Sequence, residues 1–104
     1  MAGHSEQVRN VLKMEKMFLS LEAAIGNLEE AFSQFRSVYD HSDTLEKYYT
    51  SPQWRKDFED DEAGKIIPEI SKGVLSEDGV YNLLERKKEL LEELSEFLNE
   101  AEKR

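Results

Sequence analysis

Residues 11–39 of this 104-residue chain read VLKMEKMFLSLEAAIGNLEEAFSQFRSVY, and this stretch decides the fold. Its apolar residues recur at alternating intervals of three and four: Val11, Met14, Phe18, Leu21, Ile25, Leu28, Phe32, Phe35 and Tyr39. This spacing is the a/d pattern of an amphipathic helix. The residue before each a position is also mostly apolar, and so wide an apolar face favours a helical bundle over a narrow two-stranded seam. The pattern predicts a helix at about residues 5–39, roughly 50 Å long.

The last quarter of the chain has the same design. Its apolar stripe consists of Val80, Leu84, Leu91, Leu94, Leu98 and Ala101, with glutamates outside it. Ser76 is a favourable N-cap residue, and the acids Glu77 and Asp78 suit the positive end of the helix dipole. Leu75 can also pack on Val80 as a hydrophobic staple. We therefore predict a second long helix at about residues 77–102, roughly 39 Å in length.

The segment between the two stripes predicts short helices. Asp43 and Glu46 resemble a capping box, which indicates a helix at about residues 44–49. The pair Ser51-Pro52 signals a second start, because serine caps helices well and proline is tolerated in the first turn.

This second short helix is expected at residues 52–63, ending before Gly64. It places Trp54 and Phe58 one turn apart on one face. Residues 64–76, which contain Pro68 and Gly73, are predicted to form a loop.

These elements predict an all-α fold in one domain, residues 1–104, with a helix content above about 60%, far over the usual one-third. The two long helices are expected to pack antiparallel, with one or two short helices between them. A sequential three-helix bundle is the alternative, since residues 65–75 form a short connection.

Two segments of the middle region resemble a known family. They are Trp54 with DFEDDEAG at residues 57–64, and GVLSEDGVYNLL at residues 73–84. Together they resemble the bacterial family named domain of unknown function 4298, over about a third of the chain. The first helix resembles this family only in its general amphipathic pattern. The resemblance implies a small bacterial protein with helices at both ends, and it assigns no catalytic or binding residue.

The charge balance excludes several partners. Acidic residues number 23 against 14 basic ones, giving a formal net charge of −9. Nucleic acids and anionic membranes need a clustered basic surface, so neither is an expected partner. A basic protein surface remains compatible with this charge. The chain has no cysteine, which excludes disulfides and thiolate chemistry and fits a cytoplasmic location.

No motif for catalysis or metal binding is present. The acidic run at residues 57–62 fails the calcium-loop pattern, because Glu62 and Pro68 occupy its required glycine and glutamate positions. The two histidines, His4 and His41, belong to no recognisable catalytic motif. We therefore predict a non-enzymatic protein without cofactor, tight metal site or small-molecule substrate.

Six residues are candidates for partner binding. They are the aromatic residues Tyr48, Tyr49, Trp54 and Phe58, together with Leu12 and Leu19. The aromatic residues suit either a core under the middle segment or an exposed anchor for a partner. Leu12 and Leu19 lie off the main stripe, so covering them requires the middle segment or a second subunit.

The sequence thus predicts a protein-interaction or structural module that binds a protein partner or forms a homodimer. The alternative function is an acidic regulator that occupies a basic surface, in the manner of a nucleic-acid mimic.

Overall fold

The computed structural model describes residues 2–104, with side chains from Ser5 onward. Within this range the chain forms four α-helices and one 3₁₀ turn, and no strand. The elements are α1 (Ala2–Val38), α2 (His41–Tyr49), α3 (Pro52–Glu62), the 3₁₀ turn (Gly73–Leu75) and α4 (Gly79–Glu102). Helical residues make up 81% of the chain, so the predicted all-α class is confirmed.

The chain divides into two compact units. The first runs up to Tyr39 and consists of α1, and the second runs from Asp40 to Arg104 and contains the remaining elements. The single domain and the antiparallel packing of the long helices stay predictions.

Helix α1 contains 37 residues, which corresponds to about 55 Å. It starts before the predicted residue 5 and ends one residue before the predicted residue 39. Near its end, the rings of Phe35 and Tyr39 meet edge to face at 5.4 Å, and the Arg36 guanidinium lies 5.7 Å from the Phe32 ring centre.

Helix α2 begins earlier than the capping box predicted. Its first residue is His41, and the cap residue Asp40 already has helical angles and makes no side-chain cap hydrogen bond. The Asp40 carbonyl instead accepts from the N–H groups of Asp43 and Thr44, at 3.2 and 3.4 Å. Asp43 therefore lies inside the first turn, and the predicted start at residue 44 is wrong.

Helix α3 has well-defined signals at both ends. Ser51 is extended, its Oγ accepts from the Trp54 N–H at 3.3 Å, and Pro52 is the first helical residue. At the other end Gly64 has a φ of +77°, in the left-handed region that favours glycine. There Gly64 N–H donates to the Asp61 carbonyl at 3.0 Å, and Lys65 N–H to the Asp60 carbonyl at 2.9 Å. These two bonds form a Schellman motif.

The start of α4 differs from the prediction. The helix begins at Gly79 rather than at residue 77, and Ser76 does not cap it. Ser76 Oγ instead donates to the Gly73 carbonyl at 2.9 Å, next to the 3₁₀ turn within the segment predicted to be a loop. A Cβ on Gly79 would lie 2.6 Å from the Gly73 carbonyl oxygen, so this junction requires glycine.

The core of the second unit is small. Among the described side chains, only Leu75 and Val80 are buried hydrophobic residues, at 8% and 3% exposure. They lie on either side of the junction between the 3₁₀ turn and α4. Helix α2 contacts α3 and α4, while the 3₁₀ turn contacts α3 and α4, so the four elements enclose this junction.

Candidate interaction surfaces

Three aromatic rings form a cluster centred on Trp54 in the second unit. Phe58 stacks on the indole at 5.1 Å with an interplanar angle of 15°, and Tyr49 meets it edge to face at 5.1 Å. The indole N–H donates to the Val74 carbonyl at 2.8 Å, which supplies the polar partner expected for a packed tryptophan. All three side chains are half-buried. The cluster therefore ties α2 and α3 to the segment that precedes α4.

The hydroxyl groups of the two tyrosines have partners within the same unit. Tyr49 donates to the Glu77 carbonyl at 2.7 Å, and Tyr48 donates to Asp57 Oδ2 at 2.6 Å. Asp57 Oδ1 also accepts from Gln53 Nε2 at 2.7 Å. Burial raises the pKa of Tyr48 to about 12, with further contributions from the hydrogen bond to Asp57 and from its charge. A pKa so far above neutrality makes this phenol a weaker candidate for general acid–base work.

Two carboxylates of the acidic run at residues 57–62 form ion pairs with lysines of the same unit. Asp60 lies 3.4 Å from Lys56 Nζ and 3.9 Å from Lys65 Nζ, both at an exposed surface. Asp61 pairs with Lys72, whose Nζ also lies 3.4 Å from the Ile66 carbonyl. Within the described part of the chain, no three histidine, cysteine or carboxylate side chains are placed to hold a metal ion together.

Helix α1 carries most of the exposed large apolar side chains of the described chain. Among its described side chains, twelve large apolar ones are between 44% and 63% exposed, and we call this set the α1 face: Val8, Val11, Leu12, Met14, Met17, Phe18, Leu19, Leu21, Ile25, Leu28, Phe32 and Val38. The predicted candidates Leu12 and Leu19 belong to it, at 63% and 52% exposure. The structure thus places the six candidates in two regions, the aromatic ones in the second unit and the leucines on α1.

Some contacts had no signal in the sequence. The acceptors for Trp54 and Tyr49 are backbone carbonyls, which no side-chain pattern marks. Lys87, which interrupts the apolar stripe of α4, donates to Ser42 Oγ of α2 at 3.0 Å. The stem of such a lysine packs while its amine finds a polar partner, and here that partner is a hydroxyl group.

The chain is thus an all-α protein. In its second unit, the side chains of Tyr48, Tyr49 and Trp54 donate hydrogen bonds within that unit. Its largest group of exposed apolar side chains lies on α1. The chain belongs to the family described as Domain of unknown function (DUF4298), whose model matches residues 11–98. This match confirms the resemblance and extends it to most of α1. No curated protein and no solved structure shows a significant match. No helix in the described range has the length and apolar character that crossing a membrane requires.

Proposed function

We propose that this protein is a non-enzymatic protein-interaction module whose binding surface is the α1 face. The observation that carries this proposal is the exposure of twelve large apolar side chains along one helix. A large apolar side chain has a full surface on the order of 150–200 Å², so the α1 face exposes on the order of 1,000 Å². The largest apolar patch on a typical monomer is about 300–600 Å². A surface above this range is characteristic of a protein-binding site.

The aromatic cluster supports the same choice of surface. The indole N–H of Trp54 and the hydroxyl of Tyr49 both donate to backbone carbonyls. The rings of Tyr49 and Phe58 pack against the indole of Trp54. Hot-spot aromatic residues instead insert into pockets of a partner. We therefore assign the cluster a structural role, while Leu12 and Leu19 remain exposed on α1 beside the main stripe.

A photocrosslinking experiment in the native host tests this function. A benzophenone amino acid replaces Phe18 on the α1 face or, as the matched control, Ala23 on the opposite side of the same helix. We expect adducts between polypeptides from position 18, their loss when Leu21→Glu is added, and none from position 23. Equal yields from both positions, or adducts from neither, would contradict the proposal.

A further inference from the structure

The length of the α1 face and the residues that flank its apolar stripe indicate which partner binds there. Building on the function above, we propose that this partner is α1 of a second copy of the chain, running antiparallel. Phe18 then lies opposite the partner's Phe35, and Ile25 opposite the partner's Leu28.

The length of the α1 face fits a second α1. From Val8 to Val38 the exposed apolar residues span 30 helical steps, or about 45 Å. Exposed apolar residues on α4 extend from Leu83 to Leu98, about 23 Å, which is half of that length. In the register derived below, residues 15–38 of the two α1 helices overlap over about 35 Å, which the shorter stripe on α4 cannot match.

The residues that flank the stripe determine the orientation. From Phe18 onward the residue before each a position is apolar or small, and we call Met17, Ala24, Ala31 and Val38 the apolar edge. The residue after each d position is charged, and we call Glu15, Glu22, Glu29 and Arg36 the charged edge. In a parallel helix pair, each edge faces the other edge of the partner, which places glutamates beside apolar residues. In an antiparallel pair, like edges face each other, so one side is apolar and the other is hydrated.

The register follows from the same residues. With Phe18 opposite the partner's Phe35, Ala24 faces the partner's Ala31, and two small side chains allow close approach of the helices. On the charged edge, Glu15 then faces the partner's Arg36, which gives two opposite-charge pairs per dimer. Glu22 faces the partner's Glu29, and these two like-charge contacts remain in water.

Neighbouring registers are less favourable. A shift of one heptad in one direction places Glu22 against the partner's Glu22 and Glu15 against the partner's Glu29, and no opposite-charge pair forms. The opposite shift moves Phe18 beyond the end of the partner helix, whereas the proposed register leaves only Val8, Val11, Leu12 and Met14 of the α1 face there. The register centred between Gly26 and Asn27 keeps the central apolar layers together with the opposite-charge pairs.

Sedimentation of the full chain tests the association. We expect a dimer at micromolar concentration and at least a hundred-fold weaker association for Leu21→Glu, which places a charge in a central layer. Ala23→Glu is the matched control on the outer side and should associate as the wild type does. The emission of Trp54, which lies in the other unit, should be unchanged in both variants. A wild-type monomer at high concentration, or equal weakening by both variants, would overturn the inference.

Disulfide trapping tests the orientation, since the natural chain has no cysteine. Ala24→Cys and Ala31→Cys chains of different mass are oxidised separately and then as a mixture. An antiparallel pair predicts that the mixed disulfide forms in clear excess over both homodisulfides. Dominant homodisulfides of Ala24→Cys indicate the antiparallel register shifted by one heptad, and the absence of any trapped dimer indicates that the apolar edges of two copies do not face each other, so either result overturns the inference.

The two experiments separate this inference from the proposed function. If the purified chain is a monomer while position 18 crosslinks to a different polypeptide, the inference fails and the interaction module stands. If position 18 gives no adduct of any kind, both proposals fail.

Discussion

Trp54 is the residue with the most varied contacts in the second unit. It stacks on Phe58, meets Tyr49 edge to face and donates to the Val74 carbonyl. Trp54→Ala should lower the free energy of unfolding of this unit by about 3 kcal/mol, the lower end for large aromatic truncations, because the ring is only half-buried. Denaturant unfolding followed by circular dichroism measures this loss.

Trp54→Phe is the matched control, because it keeps an aromatic ring and removes the N–H group. We expect a smaller loss of about 1 kcal/mol from the broken hydrogen bond to Val74. Equal stability of the alanine variant and the wild type would show that the cluster is not structural.

Tyr48 predicts a pH dependence of stability. Its pKa in the folded protein is raised to about 12, against 10.0 for an ordinary tyrosine. The fold thus favours the neutral phenol, so this stabilisation is complete below about pH 10 and is lost as the pH rises through about 12. Titration of tyrosine absorbance should show one of the four tyrosines ionising near pH 12.

Asp57→Asn is the control for this titration. It removes the negative charge but keeps an oxygen acceptor, so the pKa of Tyr48 should fall while remaining above the ordinary value because burial persists. An unchanged titration curve would contradict the role of Asp57.

At the scale of elements, the junction between the 3₁₀ turn and α4 depends on Gly79. A Cβ there would lie 2.6 Å from the Gly73 carbonyl oxygen, a backbone atom that cannot move freely. Gly79→Ala should therefore destabilise the second unit by more than about 1 kcal/mol. Thermal melting of the full chain checks this value.

Gly26→Ala is the matched substitution and should have the opposite sign. Gly26 lies inside α1, and a Cβ added there would meet no neighbouring atom within 4 Å. Alanine should therefore stabilise that helix by about 0.5–1 kcal/mol. Two changes of the same sign would contradict the steric explanation of the junction.

The elements also show what the sequence can and cannot predict. The start of α3 was predictable because Ser51 and Pro52 act locally, and its end because Gly64 takes up the left-handed conformation. The start of α4 was not, although Ser76 and two acids match a local cap. The carbonyls of residues 74 and 77 accept hydrogen bonds from Trp54 and Tyr49. These donors lie 20 and 28 residues earlier in the chain, so a local sequence pattern does not reveal them. The same reasoning applies to the cluster around Trp54. Its aromatic residues were identifiable from the sequence as a group, but the backbone carbonyls that accept their hydrogen bonds were not.

At the scale of the whole molecule, the net charge of −9 distinguishes the two candidate functions. Two copies of an acidic chain repel each other, and salt screens this repulsion while leaving apolar burial intact. Self-association should therefore strengthen several-fold between low and moderate salt, as measured by sedimentation at several ionic strengths. An acidic regulator bound to a basic surface would instead lose affinity steeply. A dissociation constant for the dimer that rises tenfold with salt would contradict the apolar interface.

The single tryptophan lies in the second unit, whereas the longest helix has none. Fluorescence consequently reports on the second unit, whereas far-ultraviolet circular dichroism reports on both units, because α1 has 37 helical residues and α2, α3 and α4 have 9, 11 and 24. If α1 pairs with α1 of a second copy, as proposed above, its stability depends on protein concentration. Dilution should therefore separate the two melting curves, lowering the dichroism midpoint and leaving the fluorescence midpoint in place. Under that proposal the chain unfolds in two transitions, and each transition has its own free energy.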